Sequence, residues 1–245
     1  MKYAGEEKKI PLTPISIARL VLLLIIPGLT FGLALFPILL SNFFILQYLN
    51  LDNMLHLLIF SIFLIFDFIF LIITVALSSA LFINLLRLKY DEGEYGKSLC
   101  DKTAFKFILY FILYHPTYKL IGIFNITPLK SFYLSLIGCK IGKNVFLAGE
   151  EWLIDPCAIE IGENTMVGGK TIITAHLAEE KLIVKKVKIG KNCLIGGQSL
   201  ILPGAIIEDN VVVGAKSLVT KNQKLQKGKT YAGIPVKEIT KKPKK

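Results

Sequence analysis

A single histidine, His176, stands in the repeat-rich carboxyl-terminal part of the chain, in the run Ile172-Ile-Thr-Ala-His-Leu. An imidazole titrates close to neutrality and can take a proton from an attacking hydroxyl or amine. A lone histidine is more often structural. His176 is marked by its place, just before the one long interruption of an otherwise regular pattern, because sites are usually built on loops inserted into a rigid scaffold. Three carboxylates, Glu150, Glu151 and Asp155, lie one turn of that pattern earlier.

The pattern is a six-residue beat. Aliphatic residues, often followed by glycine, recur at Ile141, Leu147, Leu153, Ile159, Ile161, Val167 and Ile173, and again at Ile189, Ile195, Ile201, Ile207, Val213 and Val219. Hexapeptide repeats signal a β-helix, in which each repeat buries its aliphatic residue by stacking on its neighbours. Asn144, Asn164, Asn192 and Asn210 each follow a starting aliphatic by three residues. Asparagine tolerates the left-handed backbone of a tight corner, so these four mark equivalent corners. Their spacings of 20, 28 and 18 residues predict about four three-sided turns, with two residues inserted in the first interval and ten in the second. A helix is the weaker reading, because a period of six with repeated glycine carries no 3.6-residue stripe.

The remainder of the chain is a different material. Hydrophobic residues make up 53% of the sequence and mean hydropathy is +0.58, values that point to membrane spans. No charge interrupts residues 20–46, which exceeds the roughly 20 residues needed to cross a bilayer. A second apolar run covers residues 55–86, and the link between the runs carries Asp52 and no Lys or Arg. Basic residues flank both outer ends, so the positive-inside rule places both termini in the cytoplasm. The expected organisation is a polar tail over 1–18, a transmembrane hairpin over 19–90, an interfacial or re-entrant amphipathic segment over 91–135, a left-handed β-helix over 136–238 and a basic tail over 239–245. Residues 103–123 read as too short, and too interrupted by His115-Pro116, to cross. Asp67, in the middle of the second span, either meets a substrate headgroup or is hydrogen-bonded at a helix–helix contact.

The net charge of +11 resides largely in juxtamembrane and tail lysines. No base-stacking aromatics or nucleic-acid module accompany it, so an anionic membrane surface is the expected partner rather than nucleic acid. The four cysteines have no metal-ligand spacing, and the repeat domain's one histidine cannot form a three-histidine zinc site. No metal is expected.

The segments Ile173–His176, Val187–Gly190, Leu194–Gly204, Val213–Lys221 and Ala232–Lys237, in this order, resemble the hexapeptide-repeat acyltransferases, exemplified by maltose and galactoside O-acetyltransferases. The resemblance covers about residues 135–240. It implies a homotrimer, acetyl-CoA (or another acyl-CoA) in a groove between subunits, and a general base at His176. By position it assigns Gly196, Gly197 and Ala215 to a wall for the pantetheine arm, and Lys221 and Lys237 to the coenzyme phosphates. Repeat corners and a solvated surface account for the same glycines and lysines without a ligand. Among the three carboxylates Asp155 is the choice to orient the imidazole or hold the acceptor. Two departures bear on the acceptor: Val236 stands where the family has a small alanine, and no His-Pro pair follows His176. Residues 127–130, 136–138, 150–155 and 174–182 are also similar to the membrane-bound carboxyl-terminal region of poly-lysine-type peptide synthetases and their stand-alone relatives. The implied function is acyl transfer from coenzyme A to a hydroxyl or amine of a lipid-linked or membrane-borne acceptor. A non-catalytic trimeric scaffold at the membrane is the alternative.

Overall fold

The computed structural model describes residues 13–239. The polar segment before residue 13 and the basic tail after residue 239 lie outside the described residues.

Two long apolar helices come first, α1 (Pro14–Leu46) and α2 (Met54–Leu85). Thr13 caps α1 and Asn53 caps α2, each side-chain oxygen accepting a backbone N–H of the first turn. α1 continues through Pro27 and Pro37. The two helices form a hairpin whose polar contacts are specific. Ser78 donates to the carbonyl of Thr30 at 2.7 Å. Asp67 is buried and accepts from Ser41 (3.1 Å) and from Asn42, so of its two sequence readings the helix–helix contact is the one observed.

Helix α3 (Lys102–Gly122) runs unbroken past His115 and Pro116, contrary to the interruption expected there. Its buried residues Leu109, Tyr110, Leu113, Tyr114, Thr117, Tyr118 and Ile121 form one 3.6-period face. Ser79 and Thr117 hydroxyls both donate to the Leu113 carbonyl beside the proline, and packing on both sides holds the helix together. The helix is wedged between α2 and the first β-helical turns: Tyr110 donates to the Ile137 carbonyl and Tyr118 to Glu151. The short α4 (Thr127–Leu136) then leads into the repeats, with Tyr133 hydrogen-bonded to Ser79 of α2 at 2.7 Å.

From Lys140 onward the chain winds as a left-handed parallel β-helix of about five turns. Its three faces are parallel sheets stacked in register, for example Ile141, Ile161, Ile189, Ile207 and Leu225 on one face. The repeat aliphatics are the core: Leu147, Leu153, Val167, Ile173, Ile195, Ile201 and Val219 are fully buried. Asn144, Asn164, Asn192 and Asn210 all adopt φ between +53° and +59°, as their spacing predicts. The first three are linked side chain to side chain in a ladder.

The number of turns differs from the sequence reading, which gave about four. A fifth turn begins at Leu225 and places Tyr231 beneath Val213. Leu225 keeps the aliphatic beat, but the corner is Gly228 rather than asparagine, with φ +73°, and the second core position is the aromatic Tyr231, so the pattern fades there. The two-residue insertion is the short helical turn Pro156–Ala158. The ten-residue insertion is a β-hairpin, His176–Ala178 against Leu182–Val184. A third strand, Gly93–Tyr95, joins it from the start of the segment expected to be interfacial or re-entrant.

Candidate active site

His176 opens the inserted hairpin at one edge of the prism. The edge is built from the loops between the sheet containing Ile172–Thr174 and the sheet containing Val187–Ile189. Asp155 occupies the same edge one turn earlier. Its backbone is left-handed (φ +67°, ψ 58°) immediately before Pro156, a conformation that a pre-proline residue avoids. In this conformation Asp155 Oδ2 lies 2.6 Å from Nδ1 of His176.

The carboxylate is 1% exposed and its other oxygen is also engaged, accepting the Tyr90 hydroxyl at 2.7 Å. Tyr90 comes from the link after α2. Burial, and after it the charge of Asp155, push its hydroxyl well above the usual tyrosine range. It therefore keeps its proton and acts as a permanent donor. Phe107 of α3 packs edge-on against the imidazole, ring centroids 4.9 Å apart, and also contacts Tyr90.

With the Asp155 carboxylate accepting, Nδ1 is the nitrogen that donates, and in a neutral imidazole Nε2 is then the acceptor. Nε2 makes no hydrogen bond among the described residues, and 23% of the side chain is exposed. The arrangement can pull a proton from a group presented at Nε2 and stabilise the resulting imidazolium.

The other sequence candidates are distributed. Lys221 lies on the same edge, its Nζ held 3.2 Å from Glu179 of the inserted hairpin, which offsets its charge. Gly196, Gly197 and Ala215 stand on a different edge, across the sheet containing Leu200–Ile201. Lys237 is exposed in a strand that folds back antiparallel against Ala232. At Gly196 the coil itself explains the residue: a Cβ there would come within 2.3 Å of the Ala215 nitrogen in the next turn. The Gly197 N–H donates to no carbonyl among the described residues.

Of the three carboxylates one turn below His176, only Asp155 faces it. Glu150 is exposed beside Lys170. Glu151 is buried in an ion pair with Lys130 (2.7 Å) and accepts from Tyr118 (2.8 Å) and the Gly149 N–H (2.6 Å). Tyr90 and Phe107 were not anticipated from the sequence. Both reach the site from outside the repeats, and no spacing along the chain announces a contact 65 residues away such as Tyr90 with Asp155.

Residues 186–221 match the family described as bacterial transferase hexapeptide (six repeats). No curated protein matches. Among solved structures, the chain is similar to a maltose O-acetyltransferase from Clostridium difficile 630, at 24% identity over 51% of this chain and 83% of that one, with a TM-score of 0.41. A hexapeptide-repeat acetyltransferase from Vibrio cholerae O1 biovar eltor, complexed with acetyl coenzyme A, aligns over 42% of this chain and 60% of its own, at 22% identity and a TM-score of 0.40. A galactoside acetyltransferase in complex with coenzyme A aligns over 51% and 80%, at 21% identity and a TM-score of 0.38.

Proposed function

We propose that the chain is a membrane-anchored acyltransferase that moves an acetyl or other acyl group from coenzyme A to a hydroxyl or amine of a lipid-linked or membrane-borne acceptor. The observation that carries this reading is the Tyr90–Asp155–His176 chain of hydrogen bonds, which leaves Nε2 bare at an accessible edge. The match of residues 186–221 to the transferase hexapeptide family supports it.

In the reaction, Nε2 of His176 accepts the proton of the acceptor O–H or N–H. The freed oxygen or nitrogen attacks the thioester carbonyl, and the tetrahedral species collapses with cleavage of the carbon–sulfur bond. The imidazolium returns the proton to the departing thiolate, so coenzyme A leaves as the thiol. Asp155 holds the ring in one tautomer and balances its transient charge. The unpaired Gly197 N–H is the candidate donor to the thioester oxygen. His176 and Gly197 lie on different edges of one prism, so a shared site needs a second copy of the chain, which favours the trimer. Holding both substrates in that cleft removes translational freedom from the reaction.

Membrane anchoring is supported by the hairpin's surface. α1 and α2 each extend about 50 Å at 1.5 Å per residue, longer than the ~30 Å hydrocarbon core. Both are covered with exposed apolar side chains, Leu24, Leu29, Phe36 and Phe66 among them, an expanse that a water-soluble surface does not sustain. With basic residues at both outer ends, the β-helix faces the cytoplasm. Coenzyme A binding by the full chain in detergent, read as a rise in melting temperature, tests the reading. A trimeric scaffold without an active site shows no such rise.

A further inference from the structure

A groove of about 420 Å³ opens where the hairpin meets α3. Its walls are apolar, formed by Leu22 and Ile26 of α1, Leu88 after α2, and Leu109 of α3. Its rim carries three cations: Arg19, Lys102 and Lys106. Ile26 is seven residues along α1 from Arg19, so the walls run about 10 Å away from the cationic rim along the helix axis. The groove therefore has a charged end and a greasy end.

None of the three cations is neutralised by an ion pair among the described residues, and Arg19 is also held in place. Arg19 donates one N–H to the Leu99 carbonyl at 2.6 Å and lies over the Phe105 ring, 5.5 Å from its centroid. That leaves donors of its fork unused. Lys102 and Lys106 are four residues apart on one helix face, where like charges repel unless an anion lies between them. Among the described residues, no carboxylate forms an ion pair with any of the three. Asp101, the neighbouring acid, is occupied by the N–H groups of Thr103, Ala104 and Gly96.

The same two segments also frame the dyad. Leu88 lines the groove, and Tyr90, no more than about 7 Å further along the backbone, donates to Asp155. Lys106 lines it, and the next residue, Phe107, packs on His176. We propose that the groove binds a phospholipid of net negative charge, its phosphate on Arg19, Lys102 and Lys106 and its chain along the apolar walls, and so presents the headgroup of the acceptor toward His176. The inference deepens the acyltransferase reading and rests on it for the identity of the lipid as acceptor; the binding itself can be measured separately.

The full chain, purified in neutral detergent, is offered equal amounts of dioleoyl phosphatidic acid and dioleoyl phosphatidylcholine, and retained lipid is counted by native mass spectrometry. Phosphatidic acid is retained preferentially, and Arg19→Gln with Lys106→Gln lowers that preference by about tenfold or more, as loss of charged hydrogen-bond donors does. Lys106→Arg on its own keeps the preference. Glycerol 3-phosphate, which offers the phosphate without the chain, does not displace the lipid at equal concentration. Equal retention of the two lipids by the wild type overturns the groove, as does displacement by glycerol 3-phosphate. The wild-type comparison stands even if the double variant fails to fold. Coenzyme A stabilisation is read on the same sample: a protein that responds to coenzyme A but does not discriminate between lipids loses the groove and keeps the transferase. One that holds phosphatidic acid and ignores coenzyme A loses the transferase and keeps the groove.

Discussion

The Tyr90 hydroxyl donates to Oδ1 of Asp155 at 2.7 Å while Oδ2 of the same carboxylate meets His176, so the link leaving the hairpin holds the β-helical dyad in place. Hairpin and dyad are joined by this contact, and each variant of it has a definite expected effect.

Tyr90→Phe removes the donor and leaves a buried carboxylate oxygen without its partner. The cost in stability is about 1–3 kcal/mol. Tyr90 does not touch the reacting atoms, so kcat falls while the KM for coenzyme A substrate is unchanged. Steady-state kinetics at saturating acceptor separate the two.

Asp155→Asn keeps the shape and reverses the hydrogen-bond preference. An amide N–H facing Nδ1 moves the imidazole hydrogen to Nε2, where it blocks proton abstraction. Activity falls by about 10²-fold or more, by analogy with tautomer reversal in histidine-based hydrolases. Crystals or cryo-EM maps of the variant show the ring unmoved.

Most of the β-helix was legible in the sequence, because each turn must bury an aliphatic and turn a corner in the left-handed region, and both demands leave marks six residues apart. Ile141 to Val219 carry those marks. The fifth turn keeps the aliphatic beat only at Leu225 and has Gly228 and Tyr231 where the earlier turns have asparagine and an aliphatic. His176 stood out by its place before the insertion, and Asp155 followed from being one turn below. Tyr90 and Phe107 were illegible: they meet the dyad only because α3 lies against the first turns, and nothing local specifies that packing. Pro116 pointed toward a break that flanking contacts suppress.

Lys130 and Glu151 form an ion pair with both side chains almost fully buried. Lys130→Met alone strands the carboxylate and lowers stability by about 3–5 kcal/mol. Lys130→Met combined with Glu151→Leu recovers a substantial part of that loss. Melting temperatures of the three proteins in one detergent provide the comparison.

Asp101 caps α3 by accepting the Ala104 and Thr103 N–H groups, and these bonds, the one from Ala104 foremost, lower its pKa below the usual aspartate value. A group whose pKa is lower folded than unfolded stabilises the fold above its unfolded pKa, about 3.9, and that contribution disappears as pH falls through the folded value. The difference in melting temperature between wild type and Asp101→Asn is therefore constant near neutrality and shrinks below about pH 4. Paired thermal melts across that range read it directly.

Acyl transfer by this chain depends most on His176 as the base. Labelled acetyl-CoA is supplied to the full chain in nanodiscs made with host lipid extract, and the label entering lipid is counted for wild type and His176→Ala. Label appears in lipid with the wild type, and His176→Ala lowers the rate by at least about 10²-fold, the lower end expected for loss of a general base, while still showing coenzyme A stabilisation. Equal rates from the two proteins, or no transfer from either, would contradict it.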